Sequence, residues 1–392
     1  MQNFHYLIIG GGMTADAAVK GIRSLDQKNS IAIISNEDHP PYSRPPLTKG
    51  LWKGDAEETI WKKTEEKNAT ILLSRSVVTI DPSERMVIDD QDEKYSYEKL
   101  LIATGGTINR LPFEVEGIIY YRTYDDYKNL RKQTERAKHI VVIGGGFIGS
   151  EAAAALAMNN KKVTMIFPDD AIGSRVYPPT LAGFINSYYQ EKGVTIINHD
   201  EVVSLSKNNS AYTIKTKGGK TLEADVVVAG IGIKPNISPA EKAGIAVSNG
   251  IDTDEFLRSN QPDIYAAGDV ANFYSPALGK RMRVEHEDNA LTMGEHAGKN
   301  MAGGTEKYTH LPFFYSDLFD LGYEAVGELD SRHQMVEDWK EPFREGVVYY
   351  LENGRVRGVL LWNTWNQVDH ARELISQKGP FDEKNVKGLL PK

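Results

Sequence analysis

Short apolar runs that end in glycine recur along the chain. Residues 4–9 and 139–143 are apolar at almost every position, which is typical of strands buried on both faces of a parallel sheet. Each run turns on glycines into a segment with helical periodicity, and a second apolar run follows. The two strand–turn–helix–strand segments are 4–9, 10–12, 13–25 and 30–35, and 139–143, 144–146, 147–159 and 162–167. The pattern predicts two βαβ units related by an internal duplication.

Other elements are predicted between and after these units. Alternation around 71–80 and 85–89 predicts antiparallel strands. The runs 100–102 and 226–229 predict strands that close on glycine turns, and the prolines of 40–46 predict an extended loop rather than a helix. Further predicted elements are a helix at 178–192, a strand at 263–267, a helix at 286–302, strands near 323–328, 345–351 and 355–362, and a final helix at 366–376.

Length and composition limit the possible functions. The chain has 392 residues, too many for one core, and its 46 basic and 54 acidic residues give a net charge of −8. This balance argues against nucleic acid or an anionic membrane as the main partner. The absence of cysteine excludes a redox-active disulfide and thiolate metal sites. The nine histidines show no HxxxH or HExxH spacing, so we expect no metal site.

Targeting and membrane signals are not evident in the sequence. The first predicted strand begins at residue 4, without a basic and then apolar leader. No apolar run approaches the roughly 20 residues that a spanning helix needs. We therefore expect a cytoplasmic protein with no membrane span.

The glycine turns indicate the chemistry. Gly144, Gly146 and Gly149 complete a GxGxxG motif after a strand, whereas the first turn has Ala15 at the third position. Alanine is tolerated there because that residue only lets the helix approach the strand. Such a turn binds a pyrophosphate with backbone amides at a helix N-terminus. Two turns in one chain predict two dinucleotides, as transfer from a nicotinamide to a flavin requires.

An acidic residue after the second strand of each unit would bind the adenosine ribose. The candidates are Asn36 and Glu37 in the first unit and Asp169 in the second. A carboxylate at position 169 repels a 2′-phosphate, so we expect NADH to be preferred over NADPH. The alternative is that Asp169 and Asp170 merely cap a loop.

The motifs taken together resemble those of the FAD-dependent pyridine nucleotide reductases, the family of ferredoxin and rubredoxin reductases, in the branch of apoptosis-inducing factor. The segments that carry the resemblance are 41–49, 103–106, 144–151, 267–269, 314–318, 322–327 and 361–363. It implies an α/β fold with two Rossmann-like dinucleotide-binding domains, one nested in the other, and a C-terminal α+β domain. The implied boundaries are 1–117 with 246–308 for FAD, 118–245 for NAD, and 309–392 for an interface or dimerisation domain.

The resemblance also implies which residues contact the cofactors. Those expected at FAD are Gly10, Gly12, Met13, Thr14, Ala15, Asn36, Glu37, Arg44, Lys49, Val78, Ala103, Thr104, Gly105, Arg110, Gly268 and Asp269. Those expected at NAD are Gly145, Gly146, Phe147, Ile148, Asp169, Gly232, Glu285, His286, Tyr315, Glu324 and Trp362. Glu151 is also expected at the cofactors. Three positions depart from the branch: Asn36 replaces a carboxylate, Tyr315 a tryptophan and Ser174 a lysine.

Three residues are candidates for a part in the chemistry. A cation near the flavin would stabilise its reduced, anionic form, and Lys49 is the candidate, with Glu151 as its expected partner. The alternative is that Lys49 is a solvated surface lysine. The resemblance places His286 beside both rings, although it could simply cap the helix that follows. Phe147 could gate the nicotinamide pocket.

Two functions of different classes remain open. The first is an FAD-dependent NADH oxidoreductase that passes electrons to a small molecule or a small redox protein, with a ferredoxin or rubredoxin reductase as one variant. Without cysteine the electrons must leave directly from the flavin. The second is an NADH redox sensor of the apoptosis-inducing-factor type, which forms a long-lived charge-transfer complex and a homodimer on reduction. A nucleotide fold that binds no flavin is the bland third alternative.

Overall fold

A computed structural model describes residues 1–208 and 211–391, which divide into two compact units. Unit 1 comprises Met1–Ser43, Glu58–Thr107 and Lys234–Phe313. Unit 2 comprises Arg44–Glu57, Ile108–Ile233 and Phe314–Lys392. Each unit is discontinuous in sequence. The division into three domains stays a prediction.

The helices are α1 (Met13–Leu25), α2 (Gly50–Lys53), α3 (Tyr124–Thr134), α4 (Phe147–Met158), α5 (Pro179–Glu191), α6 (Ser238–Lys242), α7 (Glu287–Met301), α8 (Val368–Ser376) and α9 (Glu383–Val386). The strands up to residue 208 are β1 (Gln2–Ile9), β2 (Ile31–Ile34), β3 (Ala69–Leu72), β4 (Val77–Asp81), β5 (Met86–Asp89), β6 (Lys94–Ile102), β7 (Gly106–Ile108), β8 (Ile119–Tyr120), β9 (His139–Ile143), β10 (Lys162–Ile166), β11 (Val194–Ile197) and β12 (Val202–Asn208). Those after residue 210 are β13 (Ala211–Thr216), β14 (Thr221–Ala224), β15 (Val226–Ala229), β16 (Ile233–Pro235), β17 (Val247–Ser248), β18 (Gly250–Asp252), β19 (Ile264–Ala266), β20 (Ala271–Ser275), β21 (Lys280–Met282), β22 (Phe313–Leu318), β23 (Leu321–Gly327), β24 (Gln334–Glu341), β25 (Glu345–Glu352) and β26 (Arg355–Trp362).

The main sheet of unit 1 has the order β3-β2-β1-β6-β5-β4, with β19 also paired to β6. Strands β3, β2, β1, β6 and β19 pair with one another in parallel, whereas β6 pairs with β5 in the antiparallel direction. Strand β6 pairs with β5 near its start and with β19 near its end. The ends of β1, β6 and β19 therefore lie side by side, where Ile9 pairs with Ile102 and Ile102 with Ala266. Ligands of open α/β sheets bind at such carboxyl ends.

Unit 2 contains a second parallel sheet of the same kind, in the order β11-β10-β9-β15-β8. A three-stranded antiparallel sheet, β12-β13-β14, also belongs to the segment Ile108–Ile233 of unit 2. The C-terminal part is the sheet β22-β23-β26-β25-β24, with α8 packed on β23 and β26. The paired strands of this sheet are antiparallel where their register is defined. The expected α/β class with a C-terminal α+β part is confirmed.

Several local predictions need correction. The stretch 71–80 is not one antiparallel strand: β3 pairs in parallel with β2, and only β4 and β5 form a hairpin. The elements that the predictions missed include α3, β11, β20, β22 and β24. The end of the proline segment is also not extended, because Pro45–Thr48 form a 3₁₀ turn. Proline suits the first positions of such a turn, where its fixed φ fits and no N–H is needed.

Over the described residues, no helix combines the length and apolar character needed to cross a membrane.

Candidate functional site: two dinucleotide turns and a buried ion pair

The glycine turn of unit 1 begins where β1 ends. Gly10 has φ of +110°, and a Cβ there would lie 2.2 Å from the carbonyl oxygen of Ala103, so this position requires glycine. At Gly12, the N-cap of α1, an added Cβ would meet no atom of the described residues within 4 Å. The turn therefore keeps open space at the N-terminus of α1, which is where a pyrophosphate would bind.

The ends of β6 and β19 bring other expected FAD residues to this turn. Residues 103–105 follow β6, and Gly268 and Asp269 follow β19. Gly268 lies so close to Thr14 that an added Cβ would be 2.3 Å from its Oγ1. The structure thus gathers residues from three distant parts of the chain at one edge of the sheet. Met13, Thr14 and Ala15 form the first turn of α1 beside them.

The expected adenosine side of unit 1 follows β2 and lies on β4. Asn36 is exposed, whereas the Glu37 carboxylate accepts a 2.5 Å hydrogen bond from the Tyr42 hydroxyl. Val78 is 47% exposed, and the pairing of β4 with β5 shifts register at this residue. These positions suit the contacts implied for Asn36 and Val78. A role for Glu37 stays a prediction.

The charged segment before α7 also lies in unit 1. The Arg283 guanidinium donates to the carbonyl oxygen of Asp269 at 3.0 Å and to Glu285 at 2.5 Å, which ties this segment to the turn after β19. His286 is the N-cap residue of α7, and its carbonyl oxygen accepts from the N–H of Ala290, but no capping hydrogen bond from its side chain is found among the described residues. Desolvation lowers the pKa of His286 to about 4, against the opposing effect of Asp269 and Asp288. The imidazole is therefore neutral at pH 7.

The glycine turn of unit 2 repeats the geometry of the first. Gly144 has φ of +114°, and an added Cβ would lie 2.3 Å from the carbonyl oxygen of Gly230, which follows β15. At Gly146, the N-cap of α4, an added Cβ would again have open space, with nothing within 4 Å in the part of the chain that the structure describes. Gly145, Phe147 and Ile148 belong to the same turn, and Ile148 is 42% exposed. Gly232 is exposed beyond the end of β15. A second pyrophosphate fits here.

Asp169 follows β10, as the ribose assignment requires. Its Oδ1 accepts two hydrogen bonds from the Arg175 guanidinium, at 2.9 and 3.0 Å. The Arg175 side chain is 80% exposed and that of Asp169 is 32% exposed. The alternative that Asp169 only caps a loop gains no support, because the contacts described for its carboxylate are with an arginine side chain.

Lys49 is not a solvated lysine. Its side chain is 12% exposed, and its ammonium lies 2.7 Å from both carboxylate oxygens of Glu151, which is 4% exposed. The Thr48 hydroxyl donates to Oε2 of Glu151 and the Ser316 hydroxyl to Oε1, each at 2.6 Å. A buried ion pair is stable only when such additional hydrogen bonds satisfy its remaining atoms. The expected pairing of Lys49 with Glu151 is present.

Aromatic residues surround this pair within unit 2. The Lys49 ammonium lies 5.1 Å from the ring centroid of Tyr315, which is 37% exposed. The rings of Phe147 and Phe314 meet edge to face at 5.1 Å. Trp362 is fully buried, donates its indole N–H to the carbonyl oxygen of Phe343, and stacks on another ring of the sheet. The indole of Trp362 is thus packed within the C-terminal sheet. Its contact with NAD stays a prediction.

Glu324 lies on β23 of the same unit, and its carboxyl group can accept a hydrogen bond or, when protonated, donate one. Its Oε2 atom is buried without a hydrogen-bond partner among the described residues. Desolvation raises the pKa of this carboxyl. A buried polar atom without a partner is costly, and a ligand amide would satisfy it.

Arg44 and Arg110, both expected near FAD, belong to unit 2 rather than unit 1. Arg44 donates to the carbonyl oxygen of Arg122 at 3.0 Å, and Arg110 lies over the Tyr120 ring at 5.1 Å. Sequence reasoning missed Thr48 and Ser316. Both lie inside motifs that were singled out, but serine and threonine beside a distant carboxylate leave no signal in a single sequence.

Two family models match this chain. Residues 4–294 match the family model described as pyridine nucleotide-disulphide oxidoreductase. Residues 297–340 and 332–377 match the model of the C-terminal region of apoptosis-inducing factor, mitochondrion-associated. The first match covers the glycine turns of both units, and the second covers Tyr315 and Ser316. The resemblance seen in the motifs is confirmed.

Relatives that align over nearly the whole chain support the same family. Apoptosis-inducing factor 1, mitochondrial, of Dictyostelium discoideum is 32% identical over 98% of this chain and 80% of that protein. Monodehydroascorbate reductase 3 of Arabidopsis thaliana is 34% identical over 97% of this chain and 94% of that protein. The solved covalent putidaredoxin reductase–putidaredoxin complex matches with a TM-score of 0.89, 27% identity and coverage of 96% and 94% of the two chains. The chain therefore belongs to the pyridine nucleotide-disulphide oxidoreductase family of flavoproteins, which use FAD and NAD(P)H.

Proposed function

We propose that this chain is an FAD-dependent NADH:acceptor oxidoreductase that works without a redox disulfide. The observation that carries the proposal is the pair of open glycine turns, one on the parallel sheet of each unit. Bound FAD would accept a hydride from NADH and then release electrons to an acceptor. Because the chain has no cysteine, no protein thiol can relay those electrons.

The residues of the chain have separate tasks in this proposal. The turn after β1 binds the FAD pyrophosphate, and Asp269 binds its ribityl chain. The turn after β9 binds the NADH pyrophosphate. Lys49 supplies a fixed positive charge that favours the reduced flavin, because its hydrogen bonds to Glu151 hold its ammonium in place.

NADH preference rests on Asp169. Its carboxylate would accept hydrogen bonds from the ribose hydroxyls and repel a 2′-phosphate. Arg175 already neutralises part of this charge, since it donates twice to one oxygen of Asp169. We therefore expect a clear but moderate preference, measured as the ratio of kcat/KM for NADH to that for NADPH.

Two classes of acceptor deserve direct comparison. Relatives named monodehydroascorbate reductase favour a small molecule such as monodehydroascorbate. The likeness to the putidaredoxin reductase–putidaredoxin complex favours a small redox protein. With a net charge of −8, the chain would repel a strongly acidic protein partner at low salt, so we favour the small molecule.

Anaerobic stopped-flow reduction tests the proposal. The purified yellow protein is mixed with NADH, and the visible spectrum is followed before and after addition of air, monodehydroascorbate or a ferredoxin-type protein. Rapid bleaching followed by rapid recovery with an acceptor supports the oxidoreductase. A spectrum that does not respond to NADH contradicts it.

The second candidate is an NADH sensor, favoured by the match of residues 297–377 to the C-terminal region of apoptosis-inducing factor. The same experiment separates the two functions. A sensor would bleach slowly, keep a long-wavelength band for minutes in air and shift to a homodimer in size-exclusion chromatography. Fast reoxidation of a chain that does not change size excludes the sensor.

A further inference from the structure

The loop between β10 and α5, residues 168–178, carries both members of the ion pair at the expected ribose site. Asp169 lies near its start and Arg175 near its end, and the guanidinium donates twice to one carboxylate oxygen, at 2.9 and 3.0 Å. The Arg175 side chain is 80% exposed. An exposed ion pair alone orders a long side chain poorly, because the ordering costs entropy. The position of Arg175 therefore depends on how its backbone is held.

The C-terminal sheet holds two successive carbonyl groups of this loop. The backbone N–H of Ser331, in the turn between β23 and β24, donates to the carbonyl oxygen of Arg175 at 3.0 Å. The hydroxyl of Tyr350, on β25, donates to the carbonyl oxygen of Val176 at 2.6 Å. The Tyr350 side chain is fully buried, so its hydroxyl is a fixed donor. The backbone next to the Arg175 side chain is thus fixed by two hydrogen bonds from distant parts of unit 2.

The loop is also attached on both sides of Arg175 in sequence. The N–H of Gly173 donates to the carbonyl oxygen of Gly145, in the glycine turn, at 3.0 Å. Gly173 has φ of +65°, and an added Cβ would lie 2.1 Å from the ring of Tyr177. The hydroxyls of Tyr177 and Tyr323, both buried, are hydrogen-bonded at 2.9 Å. The loop therefore connects the expected pyrophosphate turn to the C-terminal sheet, with Arg175 between the two attachments.

We infer that Tyr350 and Ser331 are positioning residues that set the selectivity between NAD and NADP, an inference that rests on the proposed function. By fixing the backbone of Arg175, they hold its guanidinium on Asp169 and away from a 2′-phosphate. A guanidinium that is free to turn forms bidentate hydrogen bonds with a phosphate group, and these would offset the repulsion by Asp169. NADP carries this phosphate and NAD does not. The C-terminal sheet thereby contributes to nucleotide selectivity through groups that contact the loop.

Two substitutions each remove one of these donors. Tyr350→Phe deletes the hydroxyl and keeps the buried ring. Ser331→Pro deletes the N–H at the second position of a β-turn, where proline fits, because the N–H of His333 donates to the carbonyl oxygen of Asp330 and φ of Ser331 is not positive.

The ratio of two dissociation constants, that of NADP+ divided by that of NAD+, measures the selectivity. We expect this ratio to fall about twofold to tenfold in Tyr350→Phe and in Ser331→Pro, the range for freeing one long side chain. The change should lie mainly in the constant for NADP+, because NAD+ offers no phosphate to the freed Arg175. Calorimetric titration of the oxidised holoprotein measures both constants without reducing the flavin.

Matched controls keep the two donors. Tyr349→Phe removes the neighbouring buried phenol of β25, whose hydroxyl contacts the backbone of Leu390, and Ser331→Ala retains the N–H. Neither control should change the ratio. In an Arg175→Ala background, Tyr350→Phe should also leave the ratio unchanged, because the guanidinium through which it acts is gone. A merely structural effect of Tyr350→Phe would persist in that background.

The outcomes separate the alternatives. An unchanged ratio in Tyr350→Phe and Ser331→Pro overturns the inference, as does an equal change in the controls or in the Arg175→Ala background. If Ser331→Pro does not fold, Tyr350→Phe alone decides. If the ratios change as expected but neither NADH nor NADPH reduces the wild-type flavin, the proposed function fails while the inference stands. If neither NAD+ nor NADP+ binds the wild-type protein, both are overturned.

Discussion

The two glycine turns share one backbone geometry but lie in different surroundings. In unit 1, α1 packs so closely on α7 that an added Cβ at Gly298 would lie 2.1 Å from the carbonyl oxygen of Ala18. Gly21 makes the reciprocal approach to α7. In unit 2, the equivalent turn leaves Ile148 42% exposed, and Tyr315 is 37% exposed.

We interpret this difference as one motif that would serve two purposes. A helix pair in backbone contact is rigid and suits a cofactor that stays bound. Exposed apolar side chains and the buried, unsatisfied Oε2 of Glu324 suit a ligand that enters and leaves at each turnover. We interpret unit 1 as the site of retention and unit 2 as the site of exchange.

The largest expected effect comes from breaking the helix pair of unit 1. Gly298→Val would force a side chain into the Ala18 carbonyl, so we expect a loss of about 3 kcal/mol or more in the free energy of unfolding, with loss of FAD. Thermal unfolding and the flavin absorbance of the purified protein measure both. Gly183→Ala in α5 is the control, because an added Cβ there meets none of the described residues within 4 Å and should stabilise the helix by about 0.5–1 kcal/mol.

A matched pair of alanine substitutions compares the two turns directly. Gly12 and Gly146 have ordinary extended φ and ψ values and open space, so Gly12→Ala and Gly146→Ala should fold. The added methyl occupies the space for a phosphate. Gly12→Ala should yield a colourless protein, whereas Gly146→Ala should stay yellow and bind NADH at least about tenfold more weakly. Identical behaviour of the two variants would show that the turns do not have separate ligands.

Cofactor preference gives a smaller effect, confined to unit 2. Asp169→Ala should lower the NADH to NADPH ratio of kcat/KM by about tenfold, because the repulsion of the 2′-phosphate is lost and Arg175 becomes available to it. Steady-state assays with both cofactors measure the ratio. Asp170→Ala is the control and should leave it unchanged. A wild-type preference for NADPH would overturn the assignment of Asp169.

The smallest effect concerns His286 in unit 1. Its folded pKa, about 4, lies below the usual value of 6.5, so the unfolded chain binds one more proton between these values and stability falls as pH falls through this window. His286→Asn should flatten the dependence of unfolding free energy on pH there, by up to about 1.4 kcal/mol per pH unit. Urea unfolding at pH 4.5, 5.5 and 7 tests this. An equal slope in both proteins would show that His286 is not desolvated.

The two βαβ units could be predicted because strands and helices each have a characteristic spacing of apolar positions in the sequence. The predicted helix at 13–25 and the strands at 139–143 and 226–229 match the structure residue for residue. The parallel pairing of β3 was missed because alternation in the sequence does not specify which strand is the neighbour.

Residues of the candidate site could be predicted from the sequence only where the residue type itself indicates a role. Glu151 could be named as a partner for Lys49, but the donors Ser316 and Thr48 lie 165 and 103 residues from Glu151 in sequence. Such contacts are created by tertiary packing. The neutral state of His286 was also not predictable, since it follows from burial rather than from its acidic neighbours in the sequence.

Nucleotide stoichiometry is the most direct test of two separate dinucleotide sites in one chain. The purified protein is denatured to count released flavin, and the native protein is titrated with NADH under anaerobic conditions by calorimetry. The account predicts one FAD and one NADH per chain, with FAD retained throughout the titration. A single nucleotide per chain, or displacement of FAD by NADH, would contradict it.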